Sequence, residues 1–203
     1  AIDKDVEWFS SLVAELHKYG YKGIKKADPE ALVSVTGVSG VDCTRARFPF
    51  LSKVLDKAKG FYDEATIHPY CYPSHFSADN YVQSPEEAQM LNIYNKASQI
   101  AGNLPITNGE FGFSIAKDEK LNSPASQRLA DYLQRSFLLM AAAAQAKRIM
   151  WYTVAGAHDS YSIWSFPNPR PAVATYANLA YLLSDAQRDV QELNLGSLVT
   201  STL

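Results

Sequence analysis

Two short segments carry the residue types best suited to chemistry. The first is Pro105-Ile106-Thr107-Asn108-Gly109-Glu110-Phe111-Gly112-Phe113, an apolar, strand-like run that ends in a single carboxylate between glycines. An acid at the exit of an apolar strand is expensive to bury. Glu110 therefore either caps the next loop or does chemistry, and neighbouring segments that end the same way favour chemistry. The second segment is Ala65-Thr66-Ile67-His68-Pro69-Tyr70. Alternation along strands puts His68 and Tyr70 on one face, and likewise Asn108 and Glu110. Two polar groups on one buried strand face need partners. An ionised carboxylate flanked by a tyrosine and a histidine makes a nucleophile site, because a hydroxyl donor favours the charged form and fixes its orientation.

The elements that must position these groups follow from periodicity. Val6, Phe9, Leu12, Val13, Leu16, Tyr19 and Ile24 recur at three- and four-residue steps, which predicts a first helix with one apolar stripe, capped by Asp3 and ending near Lys26. His17 lies near that stripe as a partly buried helix histidine. Ala27-Asp28-Pro29 stops the helix. Residues 32–37, rich in β-branched side chains, read as a strand. A helix is expected from about Pro49 to Lys59, ended by Gly60, and a second strand at residues 65–68. Ser84-Pro85-Glu86-Glu87 is a helix start with a capping box, and that helix ends at Gly102. The Glu110 strand comes next, then a Ser123-Pro124 start and a long Ala-rich helix to about Lys147. A fourth strand covers residues 148–154, and a last helix begins at Pro171.

The order is one helix followed by four strand–helix units. Such alternation predicts an α/β fold with a parallel sheet. The helix-to-strand links are short. The strand-to-helix links are long and hold Tyr, His, Asp, Trp and Pro. In a TIM-type (β/α) barrel those long links form the active face, so the chain reads as about half a barrel, residues 1–203, with no separate second domain. Trp151, at the exit of the fourth strand, offers either a flat plane for a sugar ring or a core aromatic. Tyr72, Phe76, Tyr81, Tyr161 and Trp164 are loop aromatics that shape a cleft. Asp159 is the best remaining acidic substrate contact.

Composition excludes several classes. The 203 residues carry a formal net charge of −2 and are 47% hydrophobic and 20% charged, an ordinary globular balance. There is no basic stripe to neutralise phosphates, so no nucleic acid is expected as a partner. No apolar run spans a bilayer and no signal peptide is evident. The chain opens at Ala1, and a processed or trimmed start is expected. Cys43 and Cys71 are two ordinary thiols, although a bridge between neighbouring strand exits is geometrically open. No Cys/His spacing resembles a zinc site, and no cofactor or metal is expected. An open flavodoxin-like sheet is disfavoured, since Gly37-Val38-Ser39-Gly40 lacks a phosphate-turn spacing.

Taken together, these residues resemble the C-terminal half of a clan A glycoside hydrolase, the retaining (β/α)8 barrels of the family 5 and family 39 type. His68-Pro69-Tyr70 resembles the His-x-Tyr pattern after the sixth strand. Thr107-Asn108-Gly109-Glu110-Phe111-Gly112 is similar to the nucleophile segment on the seventh, with Asn108-Gly109 standing where the family often has Thr directly before Glu. Trp151 resembles the aromatic on the eighth strand, and residues 25–31 the helix after the fourth. The resemblance implies that Glu110 attacks the anomeric carbon, that Tyr70 and His68 position it, and that Trp151, Asn108, Tyr72, Asp159 and Trp164 contact an oligo- or polysaccharide. A retaining enzyme also needs a second carboxyl about 5–5.5 Å away, which the resemblance places on the fourth strand, before this chain begins. The expected partner is therefore the missing N-terminal half-barrel or a second copy of the chain. The alternative is a non-catalytic half-barrel that binds carbohydrate weakly or self-assembles. A polysaccharide substrate would favour a secreted or periplasmic setting.

Overall fold

The computed structural model describes residues 2–39, 48–70, 75–76, 82–102, 104–116, 118–143, 146–156, 160–165 and 167–184. Its centre is a four-stranded sheet of β1 (Ser34–Ser39), β2 (Glu64–His68), β4 (Ile106–Phe111) and β6 (Ala146–Trp151). The four strands are parallel and lie in chain order. Long segments with helices connect them: α2 (Phe48–Lys57), α3 (Met90–Ala101) and α4 (Pro124–Ala142). The chain enters through α1 (Ile2–Ala27) and α5 (Pro171–Leu183) follows the last strand. Two short ribbons complete the described structure: β3 (His75–Phe76) beside β5 (Ser114–Ile115), and β7 (Trp164–Ser165) beside β8 (Asn168–Pro169). No described helix is long and apolar enough to cross a membrane.

The two faces of the sheet differ because their residues do. Val35, Ala65, Ile67, Ile106 and Phe111 form one buried layer with Leu51 and Val54 of α2, Ile93 and Tyr94 of α3, and Leu129, Leu133 and Met140 of α4. The opposite face begins polar. Arg148 Nη1 donates to Glu64 Oε2 at 2.6 Å, and the Ser34 hydroxyl donates to the other carboxylate oxygen. Arg148 also reaches Thr107 Oγ1 at 3.4 Å. One guanidinium thus spans three strands at their amino ends. Glu64 belongs to β2 itself, one residue earlier than the sequence reading starts that strand.

Several boundaries differ from expectation for local reasons. The Ser84–Glu87 capping box forms: Glu87 N donates to Ser84 Oγ at 3.2 Å, and Ser84 N to Glu87 Oε2 at 2.9 Å. The regular helix nonetheless begins only at Met90, because Gln89 takes a left-handed φ of 54°, which interrupts the ladder between cap and helix. The Ser123-Pro124 start holds, with Ser126 N donating to Ser123 Oγ at 3.1 Å. That helix ends at Ala142, not Lys147, and β6 runs from Ala146 to Trp151, not to residue 154.

The apolar stripe of α1 is present but largely uncovered. Ser10 and Ala14 are buried, while Phe9, Leu12, Leu16 and Tyr19 are 52%, 42%, 63% and 73% exposed. α1 rests on α2 and β1, and its stripe points past them. Ion pairs line its contact with α2. Glu7 Oε1 takes a 2.6 Å ion pair from Lys57 and Glu7 also pairs with Lys53, both on α2. At the other end Asp63 accepts from Val33 N at 2.8 Å and pairs with Lys25 at 3.0 Å.

Candidate active site at the carboxyl ends of the strands

In a parallel sheet all carboxyl ends share one rim, so β2 and β4 deliver their last residues to the same place. Tyr70 Oη, just past β2, donates to Glu110 Oε1 at 2.5 Å. Tyr70 is almost fully buried and Glu110 half-buried. His68 lies close enough for the Glu110 charge to act on it. The three groups that the sequence analysis places together are together.

They arrive by a different route from simple alternation. Thr66 pairs with Thr107 and Ile67 with Asn108, so Asn108 takes the helix-side face. It is fully buried, and its Nδ2 donates to Met140 Sδ of α4 at 3.1 Å. The expected substrate contact from Asn108 is therefore corrected: the side chain is locked into the core. Glu110 reaches the rim because β4 holds one extra residue. Asn108 pairs with Ile149 but Phe111 with Trp151, three steps on one strand against two on the other. This is a β-bulge, which re-aims the side chain after it.

Glycine makes the room that His68 occupies. A Cβ at Gly37 would stand 2.6 Å from His68 Nε2, and one at Gly109 3.0 Å from the same atom. Strands on both sides are thus bare where the imidazole lies. Burial lowers the His68 pKa, while the Glu110 charge pulls it the other way. The net direction keeps the ring neutral at neutral pH, able to donate from one nitrogen and accept at the other.

Aromatic rings wall the rim. Tyr161 meets Tyr70 edge-to-face at 5.8 Å and Tyr152 at 5.9 Å. Tyr161 is among the loop aromatics singled out from sequence; Tyr152 is not. Trp151, its neighbour, lies buried against Phe111 at 5.1 Å and Phe113 at 6.3 Å. Of the two readings open for Trp151, the core aromatic holds. The residue after a core-facing strand residue faces the other way, which is the signal that could have found Tyr152. Tyr152 N donates to Phe111 O at 2.7 Å, which holds that tyrosine beside the Glu110 strand. Trp164 lies on the β7 ribbon, bonded through its backbone N–H to Val154 O at 2.9 Å. Tyr72, Asp159, Cys43 and Cys71 lie outside the described residues.

The rim is stitched across its loops. β3 and β5 pair the segment after β2 with the segment after β4. Ile115 N donates to Ser160 O at 2.8 Å, joining the latter to the segment after β6. Beneath them the buried Arg170 donates through Nη2 to Ala116 O at 3.1 Å, and through Nη1 to Glu119 O at 3.2 Å and Ser126 Oγ at 3.3 Å.

The Tyr70 phenol is pushed far above the usual value of 10 by burial first and by the Glu110 carboxylate second. It stays protonated and goes on donating throughout the neutral range. The sign of the linked effect follows. A raised pKa in the fold contributes stability that is whole below pH 10 and is lost as pH rises beyond it, because only the unfolded chain then releases the proton. Ultraviolet titration of the tyrosinates should show Tyr70 silent until the chain unfolds, with stability to urea falling above pH 10. A Tyr70 signal appearing in the folded protein near pH 10 would contradict the burial and the bond.

No protein-family model matches the sequence, and a sequence comparison with curated proteins finds no match. Comparison of folds does find similar structures. A mutant of a glycoside hydrolase family 128 (subgroup I) endo-β-1,3-glucanase from Amycolatopsis mediterranei superposes at a TM-score of 0.55 and 12% identity, covering 81% of this chain and 64% of that one. Another mutant of that enzyme, in complex with laminaritriose and laminaribiose, gives 0.51 at 16%, covering 70% and 56%. A β-glucuronidase from an uncultured Clostridium sp. gives 0.49 at 14%, covering 83% and 36%, and carries no weight at that score. The chain spans less than two thirds of the length of each. At such identities the likeness shows the fold alone: a partial α/β barrel of the TIM type.

Proposed function

We propose that the chain is the nucleophile-bearing half of a retaining glycoside hydrolase, a single half-barrel over residues 1–203. The observation that carries this reading is the 2.5 Å bond from the buried Tyr70 hydroxyl to Glu110 at the strand exits. A phenol held neutral by burial and spent on one carboxylate oxygen leaves the other oxygen free to attack. Glu110 Oε2 forms an ester bond to the anomeric carbon while the bond to the leaving group breaks. Tyr70 holds the carboxylate in line, and His68, neutral and seated between Gly37 and Gly109, is placed to hydrogen-bond a sugar hydroxyl. Tyr152 and Tyr161 supply ring faces to the sugar.

Protonating an ordinary leaving group needs a second carboxyl about 5–5.5 Å away. Glu64, the other carboxylate of the sheet, is tied to Arg148 and Ser34 at the opposite end of β2. The proposed acid therefore comes from the half that closes the barrel. Laminari-oligosaccharides, bound by the family 128 neighbour, are the first substrates to try.

A substrate with an activated leaving group bypasses the missing acid and tests the nucleophile by itself. The chain incubated with 2-deoxy-2-fluoro-β-laminaribiosyl fluoride is expected to gain one glycosyl group by intact mass, with fluoride released and the label on the Glu110 peptide. Absence of an adduct, or a label elsewhere, rejects the assignment and favours the non-catalytic half-barrel.

A further inference from the structure

We propose that Tyr161 is a positioning residue: its ring, carried on the segment after β6, holds the Tyr70 phenol against Glu110. This duty is separate from any ring face that Tyr161 offers to a sugar.

Tyr70 needs such a hold. It lies two residues beyond the end of β2 at His68, where the pairing of β2 with β1 also ends. Its N–H donates to His68 O at 2.9 Å, a tight local turn of the kind found at strand ends. That turn sets the path of the chain and leaves the direction of the phenol to side-chain packing. The ring that orients Glu110 is therefore not itself oriented by the sheet.

Tyr161 is anchored the other way round, through its backbone. Ile115 N, in the segment after β4, donates to Ser160 O at 2.8 Å. Thr153 N donates to Tyr161 O at 3.3 Å, and Ile163 N donates to Thr153 O at 3.1 Å. The ring carried by these bonds meets Tyr70 at 5.8 Å with the planes 80° apart, and Tyr152 at 5.9 Å and 61°. Edge-to-face contact is a favoured arrangement of two rings and so prefers one orientation of the partner. Gly112 closes the way back: a Cβ there would stand 3.3 Å from Tyr161 Cδ1. Tyr70 is 7% exposed and Tyr161 half-buried, so Tyr161 also helps keep water from the bond between Tyr70 and Glu110. Glu110 acts most strongly on the Tyr70 hydroxyl, followed by Tyr161 and Tyr152. Truncating the Tyr161 ring removes both a stop and a shield. The phenol then gains freedom, and Glu110 loses its fixed line to the reacting carbon.

Tyr161→Ala and Tyr161→Phe test this in the wild-type chain and in a Tyr70→Phe background. One readout is NMR titration of tyrosine isotope-labelled at Cζ, in chain that circular dichroism shows folded, with the Tyr70 signal assigned by its loss in Tyr70→Phe. The other is labelling by 2-deoxy-2-fluoro-β-laminaribiosyl fluoride, read as a saturating rate and a half-saturating concentration. The labelling rests on the nucleophile reading of Glu110, and the titration does not. Tyr70 is expected to stay silent in the folded wild type and in Tyr161→Phe, and to titrate in folded Tyr161→Ala. The saturating rate should fall about tenfold in Tyr161→Ala, a share of the loss from deleting the Tyr70 bond, and Tyr161→Phe should restore it. In the Tyr70→Phe background Tyr161→Ala should change the rate by less than about twofold, because the ring acts through that hydroxyl. If Tyr161→Ala does not fold, Tyr161→Leu carries the same expectations. A Tyr70 signal still silent in the truncated variant overturns the proposal, as does an equal rate loss in both backgrounds. A rise in the half-saturating concentration alone makes Tyr161 a sugar platform only and overturns it too. A wild-type chain that takes no label rejects Glu110 as nucleophile, and the titration then decides the role of Tyr161.

Discussion

Glu110→Gln, made in a closed barrel that contains this chain, is expected to lower hydrolysis of a 2,4-dinitrophenyl laminari-oligoside by about four to six orders of magnitude, the range of loss seen when one member of a catalytic constellation is removed. The activated leaving group keeps the acid out of the measurement, so the loss reports glycosylation alone. The fold should be indifferent. The amide is isosteric with the acid, the side chain is half-buried, and the Tyr70 hydroxyl retains a carbonyl oxygen to donate to. Tyr70→Phe is the graded companion. It removes one hydrogen bond to a charged group, worth about 1.5–3 kcal/mol, and so a rate loss of roughly 10- to 100-fold. A Glu110→Gln protein that keeps a tenth of the rate, with normal circular dichroism, would remove Glu110 from the chemistry.

Gly112→Ala is expected to be more damaging than an added methyl at Gly37 or Gly109, the other tightly enclosed glycines among the described residues. The new Cβ would stand 2.2 Å from Tyr152 O, a backbone atom, and 3.3 Å from Tyr161 Cδ1. A carbonyl in the chain cannot swing aside as a side-chain tip can. Here it belongs to the residue whose N–H is bonded to Phe111 O at 2.7 Å, so relief must break that link or part β4 from β6. Overpacking of this kind costs about 1–3 kcal/mol and occasionally more, and the expected loss is at the upper end. Gly109→Ala is the control. Its Cβ meets only side-chain atoms, Thr66 Cγ2 at 2.7 Å and His68 Nε2 at 3.0 Å, which can shift. Urea midpoints should rank the two with Gly112→Ala clearly lower. Equal midpoints would show that the rim yields more easily than the Tyr152 carbonyl implies.

How much of this was legible beforehand depended on which force set each feature. The strand–helix order and the position of the site at the strand exits come from composition and periodicity, and both are read directly from residues. The meeting of Glu110, Tyr70 and His68 was also legible, because parallel strands bring their ends to one rim. The route was not. Regular alternation pairs Glu110 with Asn108, but Asn108 lies opposite Ile67 on the helix side and donates to Met140, and the extra residue that follows it in β4 breaks the phase and re-aims Glu110. A bulge is a property of two strands together, and one strand's residues do not announce it beyond the hint of Gly109. Trp151 and Tyr152 fall to the same cause, since the face of each depends on register against β4. The stripe of α1 was found correctly as a stripe, but periodicity says that a face is apolar and not which neighbour covers it.

Arg170 has a consequence for how the rim can vary. Its guanidinium reaches two carbonyl oxygens and one hydroxyl in the segment after β4, while its backbone N–H donates to Ile163 O at 3.2 Å. Of these bonds, the one to Ser126 alone reads a side chain; the others read the peptide path. A clamp of this sort tolerates wholesale rewriting of the residues it holds, so long as the peptide path stays put. Related barrels could therefore exchange the amino acids that greet a glycan while preserving the contour of the entrance, and selectivity could drift without any loss of architecture.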